Sequence, residues 1–287
     1  MKFIVVMATY NRSEMVAEAI NSILSQTYSS WDLIVVNDGS PDNTEEILSS
    51  YEDNRIHVIS YSDNKGVNFA RNQALQYVTD QGLSGYLTFL DDDDTFISEC
   101  LANVKSRIES LPGYSWYAGK CVRTDGHIIS KISEEGEYSY LYDYMFGHKV
   151  RGDLTHFIST DVALSSRFTL EFKNSEEWCY FSKVSASSEF YYFDEVCKVV
   201  QCLPDGLLLS KVNQDKKIAV LIFKINYLSE IVSASFLQKN ILSLLNSLVK
   251  SSRVSETYFW ESKLTLKSKL SYKYCLFAIR RLVKRFK

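Results

Sequence analysis

Four short apolar runs, each ended by a polar turn and followed by residues at helical spacing, constrain this chain more than any other feature. The runs are Phe3–Ala8, Trp31–Val36, Ile56–Ser60 and Tyr86–Leu90. Phe3–Ala8 is rich in β-branched residues and reads as a buried strand. The segments that follow, Ser13–Ser25, Asp42–Tyr51, Asn68–Thr79 and Ile97–Ser110, read as helices. In the first of them Met15, Val16, Ala19, Ile20, Ile23 and Leu24 fall on one face, and Ser13 is placed to cap it. Strands alternating with helices at this spacing predict right-handed βαβ units and a parallel sheet.

The alternation stops near residue 112. Tyr114–Arg123 and His127–Ile132 read as a hairpin around Thr124-Asp125-Gly126, and a turn-rich stretch follows to about Ser175. Glu176–Val184 reads as a helix, Phe190–Phe193 and Val196–Cys202 as two strands, and Asp215–Leu248 as a long helical region. The expected organisation is a first half over 1–112, a second half of the same domain over 113–214, and a helical extension over 215–287.

Length and composition bound the rest. The 287 residues suit one large domain or two modest ones. With 46% hydrophobic and 23% charged residues, the chain is neither wholly disordered nor fibrous. No window approaches the run of about 18 apolar residues that a membrane-spanning helix needs. The N-terminus reads as a strand rather than a signal peptide. The six cysteines, Cys100, Cys121, Cys179, Cys197, Cys202 and Cys275, form no CxxC pair and read as reduced and structural. A cytoplasmic location is expected.

Charge is split along the chain. Ser262–Lys287 holds nine basic residues and no acidic one, which leaves 23 basic against 35 acidic residues in the remainder. The body therefore carries −12 and the tail +9. Tyr272, Leu276, Ile279, Leu282, Val283 and Phe286 form an apolar stripe among those cations. Such a segment suits an anionic membrane surface and predicts peripheral association with the inner face of the cell membrane. Nucleic acid is not expected as a partner, because the body is acidic and carries no nucleic-acid motif.

In an open parallel sheet, ligands bind beyond the carboxyl ends of the strands. Four polar signatures fall there: Thr9-Tyr10-Asn11, Asn37-Asp38-Gly39-Ser40, Ser62-Asp63-Asn64-Lys65-Gly66 and Asp91-Asp92-Asp93-Asp94. Four consecutive acids repel one another unless a cation or solvent offsets them. Hard cations such as Mg²⁺ and Mn²⁺ prefer oxygen ligands, so the tetrad could bridge a metal to a diphosphate. Read alone, it is equally a solvated acidic turn.

Taken together, the motifs carry a resemblance. They are Val5-Val6-Met7-Ala8-Thr9-Tyr10-Asn11-Arg12, Ala19-Ile20-x-Ser22-Ile23-Leu24-x-Gln26-Thr27-Tyr28, Trp31 to Ser40, Asn64-Lys65-Gly66-x-x-x-Ala70-Arg71-Asn72 and Phe89 to Asp94. In this order and spacing the chain resembles an inverting glycosyltransferase of family 2 with the nucleotide-sugar-binding fold called GT-A. That fold is a mostly parallel, Rossmann-like α/β sheet flanked by helices. The likeness covers roughly residues 3–110, then thins to Ser175-Glu176-Glu177-Trp178.

The resemblance implies a UDP-sugar donor and an Mn²⁺ or Mg²⁺ cofactor. By that likeness Ala8 and Thr9 line the base pocket, Asp38 accepts from the uracil ring, and Arg71 lies near the base and diphosphate. Asp91 meets the ribose and Asp93 ligates the metal; Asp92 fills a variable slot. The family's usual Glu-Asp-Trp is here Glu176-Glu177-Trp178, so Glu177 aligns with the catalytic base, with Glu176 as second choice. Trp178 and His156 are candidates for the acceptor side. The implied reaction moves a hexose or N-acetylhexosamine to a saccharide acceptor, expected to be lipid-linked, either undecaprenyl-diphosphate-linked or on lipid A–core, in O-antigen, capsule or lipooligosaccharide synthesis.

Other classes fit less well. A dehydrogenase would carry GxGxxG after the first strand. A sugar nucleotidyltransferase would carry a Gly-rich phosphate loop there, and Thr9–Glu14 has no glycine. A binding protein that has lost its chemistry would not need the acidic pair at 176–177.

Overall fold

The computed structural model describes residues 1–147, 149–174, 176–201 and 214–232. Two compact units are present, Met1–Pro204 and Asp205–Lys287.

The first unit is built on β1 (Phe3–Thr9), β2 (Trp31–Asp38), β3 (Ile56–Tyr61) and β4 (Tyr86–Phe89), with helices α1 (Ser13–Leu24), α2 (Thr44–Ser49) and α3 (Val67–Asp80) between them. β1 pairs in parallel with both β2 and β4, and β2 in parallel with β3. Successive residues of β1 divide between the two faces of the sheet. Phe3, Val5 and Met7 pack with Val16, Ala19, Ile20 and Ile23 of α1, whereas Ile4 and Val6 pack with Ala70, Ala74 and Val78 of α3. Two covered faces are why β1 reads as a continuous apolar run.

Beyond β4 come β5 (Thr95–Phe96), α4 (Cys100–Ser110), β6 (Trp116–Arg123), β7 (Gly136–Tyr138), a π-helix over Tyr140–Phe146, β8 (Leu154–Ser159), α5 (Thr160–Ala163), α6 (Trp178–Val184) and β9 (Phe190–Val200). The nine strands among the described residues form one sheet in the order β3-β2-β1-β4-β8-β6-β9-β5, with β7 beside β9. β8 enters antiparallel to both β4 and β6. The sheet is thus mostly parallel on one side and mixed on the other. Residues 1–112 and 113–201 share it.

Several sequence expectations need correction. The stretch read as turn-rich up to Ser175 contains β8, a central strand whose Leu154, Phe157 and Ile158 are buried. Its polar interruptions, Thr155 and His156, hide the strand signal, and both are also buried. The two strands expected between 190 and 202 are the single strand β9. The hairpin at Thr124-Asp125-Gly126 closes, but its second arm makes isolated bridges, Val122–Ile128 and Lys131–Arg151, in place of a strand. Ser13 does not cap α1 with its side chain; its N–H instead donates to Asp42 Oδ2 at 3.0 Å. The carboxylate from the next loop meets the helix's unpaired N–H groups and positive dipole end.

Cys100, Cys121, Cys179 and Cys197 are free thiols in the interior; Cys202 and Cys275 lie outside the described residues. In the second unit α7 runs over Gln214–Ile231, with Ile225 and Leu228 buried one helical turn apart. The basic tail at 262–287 lies outside the described residues. Among those described, no helix is long and apolar enough to cross a membrane.

Candidate active site

The polar turns at the ends of β1, β2 and β4 meet on one side of the sheet. Thr9 ends β1 and is buried, and Ala8 beside it is half-buried. Asp38 ends β2, also buried. Its carboxylate accepts from the backbone N–H groups of Lys65 and Gly66, at 2.9 and 2.6 Å. Asp38 therefore ties the loop after β3 to the end of β2. Gly66 has φ +102, and a Cβ there would lie 2.1 Å from the Lys173 carbonyl oxygen. Only glycine fits this close approach without moving backbone.

Each member of the acidic tetrad meets a cation. Arg71 Nη2 bonds Asp91 Oδ1 at 2.7 Å. Arg12 Nη1 reaches Asp92 Oδ1 at 3.0 Å and Asp93 Oδ2 at 2.6 Å. Lys198, from β9, bonds Asp94 at 2.8 Å and Asp153 at 2.9 Å. The repulsion expected of four neighbouring acids is thus offset by three cations from distant parts of the chain. Burial dominates at two positions, pushing the Asp92 and Asp94 carboxyls up to about 6 despite Arg12 and Lys198. For Asp91, withdrawal from water is outweighed by Arg71 and Lys198, and its carboxyl is held below the usual range.

Arg71 is the hub. It is buried in α3, its guanidinium 5.3 Å from the Phe168 ring centroid, and its Nη1 bonds Glu177 Oε2 at 2.9 Å. One guanidinium therefore joins Asp91 of the tetrad to Glu177. Glu176 is turned elsewhere. Its φ is +67, a left-handed conformation costing a non-glycine residue on the order of 1 kcal/mol. Its carboxylate accepts from the Trp178 indole N–H. Glu177 is more than half exposed and lines a crevice with Arg71, Asp91, Asp153, His156 and Lys198. Glu176 and Trp178 do not line it; Trp178 packs against the core cluster on that side.

The far wall of the crevice is aromatic. Tyr140 and Tyr144 of the π-helix stack at 4.8 Å with planes 15° apart. His156 lies beneath, its Nδ1 accepting from Trp116 Nε1 at 3.1 Å. Burial pushes the imidazole down to about 3, so it is neutral near pH 7.

Sequence reading assigned no role to Arg12, Asp153 or Lys198. A lysine between apolar residues of β9 is the one signal that could have marked Lys198, since a charge in a buried strand needs partners. Asp153, Tyr140 and Tyr144 sit in the stretch read as turns.

Residues 4–171, more than half of the chain, match the family described as glycosyl transferase family 2. The chain belongs to that family. Family membership and the sheet agree with the GT-A fold of solved relatives. One is S. aureus TarS residues 1–349 in complex with UDP-GlcNAc, with a TM-score of 0.68 at 19% identity, covering 96% of this chain and 80% of that one. Another is a mannosyltransferase of Pyrobaculum calidifontis in complex with GDP-Man and Mn²⁺, with a TM-score of 0.55 at 14% identity, covering 98% of this chain and 75% of that one. At these identities the likeness is one of fold. Among curated relatives, the UDP-Glc:α-D-GlcNAc-diphosphoundecaprenol β-1,3-glucosyltransferase WfgD of Escherichia coli is 36% identical over 97 residues, 34% of this chain and 37% of that protein. The chain thus spans well under half of that relative's length.

Proposed function

We propose that this family member is an inverting glycosyltransferase that moves a hexose or N-acetylhexosamine from a UDP-sugar to a lipid-diphosphate-linked saccharide, with Glu177 as base. The observation that carries the reading is the Arg71 bridge. It holds a carboxylate able to take an acceptor's proton beside the tetrad, where a donor's diphosphate would lie. WfgD, which by its name uses UDP-Glc and a GlcNAc-diphosphoundecaprenol acceptor, supports the substrate class.

Glu177 removes the proton of an acceptor hydroxyl. The hydroxyl oxygen attacks the anomeric carbon opposite the diphosphate and forms the new C–O bond. The bond to the β-phosphate oxygen breaks, and UDP leaves with the electron pair. Arg71, held as a permanent cation, stabilises the charge that develops on that diphosphate. Asp38 and Thr9 shape the uracil side, Ala8 the adjoining wall, and Asp91 the ribose side.

The residues present suit a hard divalent cation. Asp93 is partly exposed beside the half-exposed Asp91, and both offer oxygen. Among the described residues no three His, Cys, Asp or Glu side chains converge as a closed metal cage. Mg²⁺ typically takes one or two protein carboxylates and completes its shell from substrate phosphates. When bound at Asp93, Mn²⁺ or Mg²⁺ would supply Lewis-acid neutralisation of the diphosphate. The basic segment 262–287 would bring the domain to the anionic surface that carries a lipid-linked acceptor.

The test is Glu177→Gln, assayed for UDP release with UDP-glucose, UDP-galactose and UDP-N-acetylhexosamines and an α-GlcNAc-diphosphoryl-alkyl acceptor. Turnover should fall by about 10²- to 10⁴-fold while UDP affinity stays within about twofold. Unchanged turnover would remove Glu177 from the role of base.

A further inference from the structure

Two carboxylates, Glu177 and Asp153, face the same crevice, and their cations differ in kind. Arg71, which holds Glu177, also holds Asp91 and is the group proposed to meet the diphosphate. Its grip on Glu177 can pass to the donor. Lys198 is buried and bonds only protein carboxylates, Asp94 and Asp153. It cannot be drawn off by a ligand without stranding two charges. Asp153 is further fixed by the Leu154 N–H, which donates to its Oδ1 at 3.0 Å. Half of the Asp153 side chain is nevertheless exposed. A carboxylate bound to a buried ammonium and to a backbone N–H is a well-oriented hydrogen-bond acceptor.

His156 supplies the complementary group. The Trp116 indole is a donor only, so the ring nitrogen receiving it, Nδ1, carries no proton. The neutral ring must then bear its proton on Nε2. The crevice thus holds a fixed acceptor and a fixed donor between aromatic walls, the pairing that a sugar hydroxyl or acetamido group satisfies.

We propose that Asp153 and His156 form the acceptor-binding subsite: Asp153 accepts a hydrogen bond from an acceptor hydroxyl other than the reacting one, and His156 Nε2–H donates to an acceptor oxygen. Lys198 is the positioning residue that holds the Asp153 carboxylate in place. Tyr140 and Tyr144 give the apolar wall for the sugar's C–H face. This deepens the transferase reading and rests on it.

The experiment is calorimetric titration of α-GlcNAc-diphosphoryl-alkyl acceptor, and its single-deoxy analogues, into the full chain with UDP and Mn²⁺ present. Wild type should bind the parent and reject one deoxy analogue. Asp153→Asn should weaken the parent by about 10- to 100-fold and bind that analogue no worse than wild type does. His156→Asn should weaken the parent without changing that preference. Asp153→Glu should recover part of the loss, and UDP affinity, unchanged in each variant, reports an intact donor half. In turnover, Asp153→Asn should raise the acceptor KM with kcat largely kept, opposite to Glu177→Gln. Binding by wild type that neither substitution alters overturns the subsite alone. A collapse of kcat in Asp153→Asn with Glu177→Gln still active overturns both, making Asp153 the base. No binding of any of these acceptors to wild type overturns the acceptor reading and the subsite with it.

Discussion

Arg71 Nη1 lies 2.9 Å from Glu177 Oε2, joining residues 106 positions apart in the chain, while its Nη2 holds Asp91. The fork of one guanidinium sets the spacing between the tetrad and the candidate base. A lysine, whose donors share one nitrogen, cannot supply the two separate nitrogens that reach Glu177 and Asp91 here.

Arg71→Lys should therefore weaken UDP by about tenfold or more. Glu177 and Asp91 are each about half exposed, so freeing them costs little in folding. A UDP titration and a melting curve on the same sample separate the two effects. A large loss of melting temperature with unchanged affinity would contradict the assignment.

Gly66→Ala should be far more damaging than a usual loop substitution. The added Cβ meets Lys173 backbone at 2.1 Å and the residue must keep φ +102. A stability loss on the order of 1–3 kcal/mol is expected. UDP affinity should fall too, because the Gly66 N–H is one of the two groups that hold Asp38. Denaturant unfolding and UDP calorimetry read the pair of effects.

Metal dependence should localise to Asp93. With Mn²⁺ present, wild type should bind UDP more tightly than in chelator. Asp93→Asn should bind UDP similarly in both conditions. Retention of the Mn²⁺ effect in the variant would place the ion elsewhere.

His156 should make the fold sensitive to mild acid. The folded ring is pushed down to about 3, whereas in the unfolded chain it protonates near 6.5. Between those values the unfolded state binds the extra proton, so stability is lost as pH falls through that window. The slope from this residue approaches about 1.4 kcal/mol per pH unit. Chemical denaturation at pH 7, 6 and 5 should show a shallower decline in His156→Asn than in wild type.

The N-terminal half was legible because its signals are local. Apolar runs buried on both faces, helical spacing in between and polar turns at the strand ends are each contained within about 15 residues, and the motifs there mark Thr9, Asp38, Arg71 and the tetrad. A hydrogen-bonded turn or a helix face is specified by neighbours in sequence. Which acid meets which cation is not. Lys198 reaches Asp94 because β9 pairs with β5, and it reaches Asp153 because that residue leads into β8, which lies beside β6. Strand pairings between distant segments leave no periodic mark in the chain. The choice of Glu177 over Glu176 at Arg71 likewise follows from a backbone turn at Glu176 that no residue pattern announces. Sequence determined the chemistry available at the strand ends; only the closed sheet, by setting distances between residues about a hundred positions apart, decided which of those groups share a crevice.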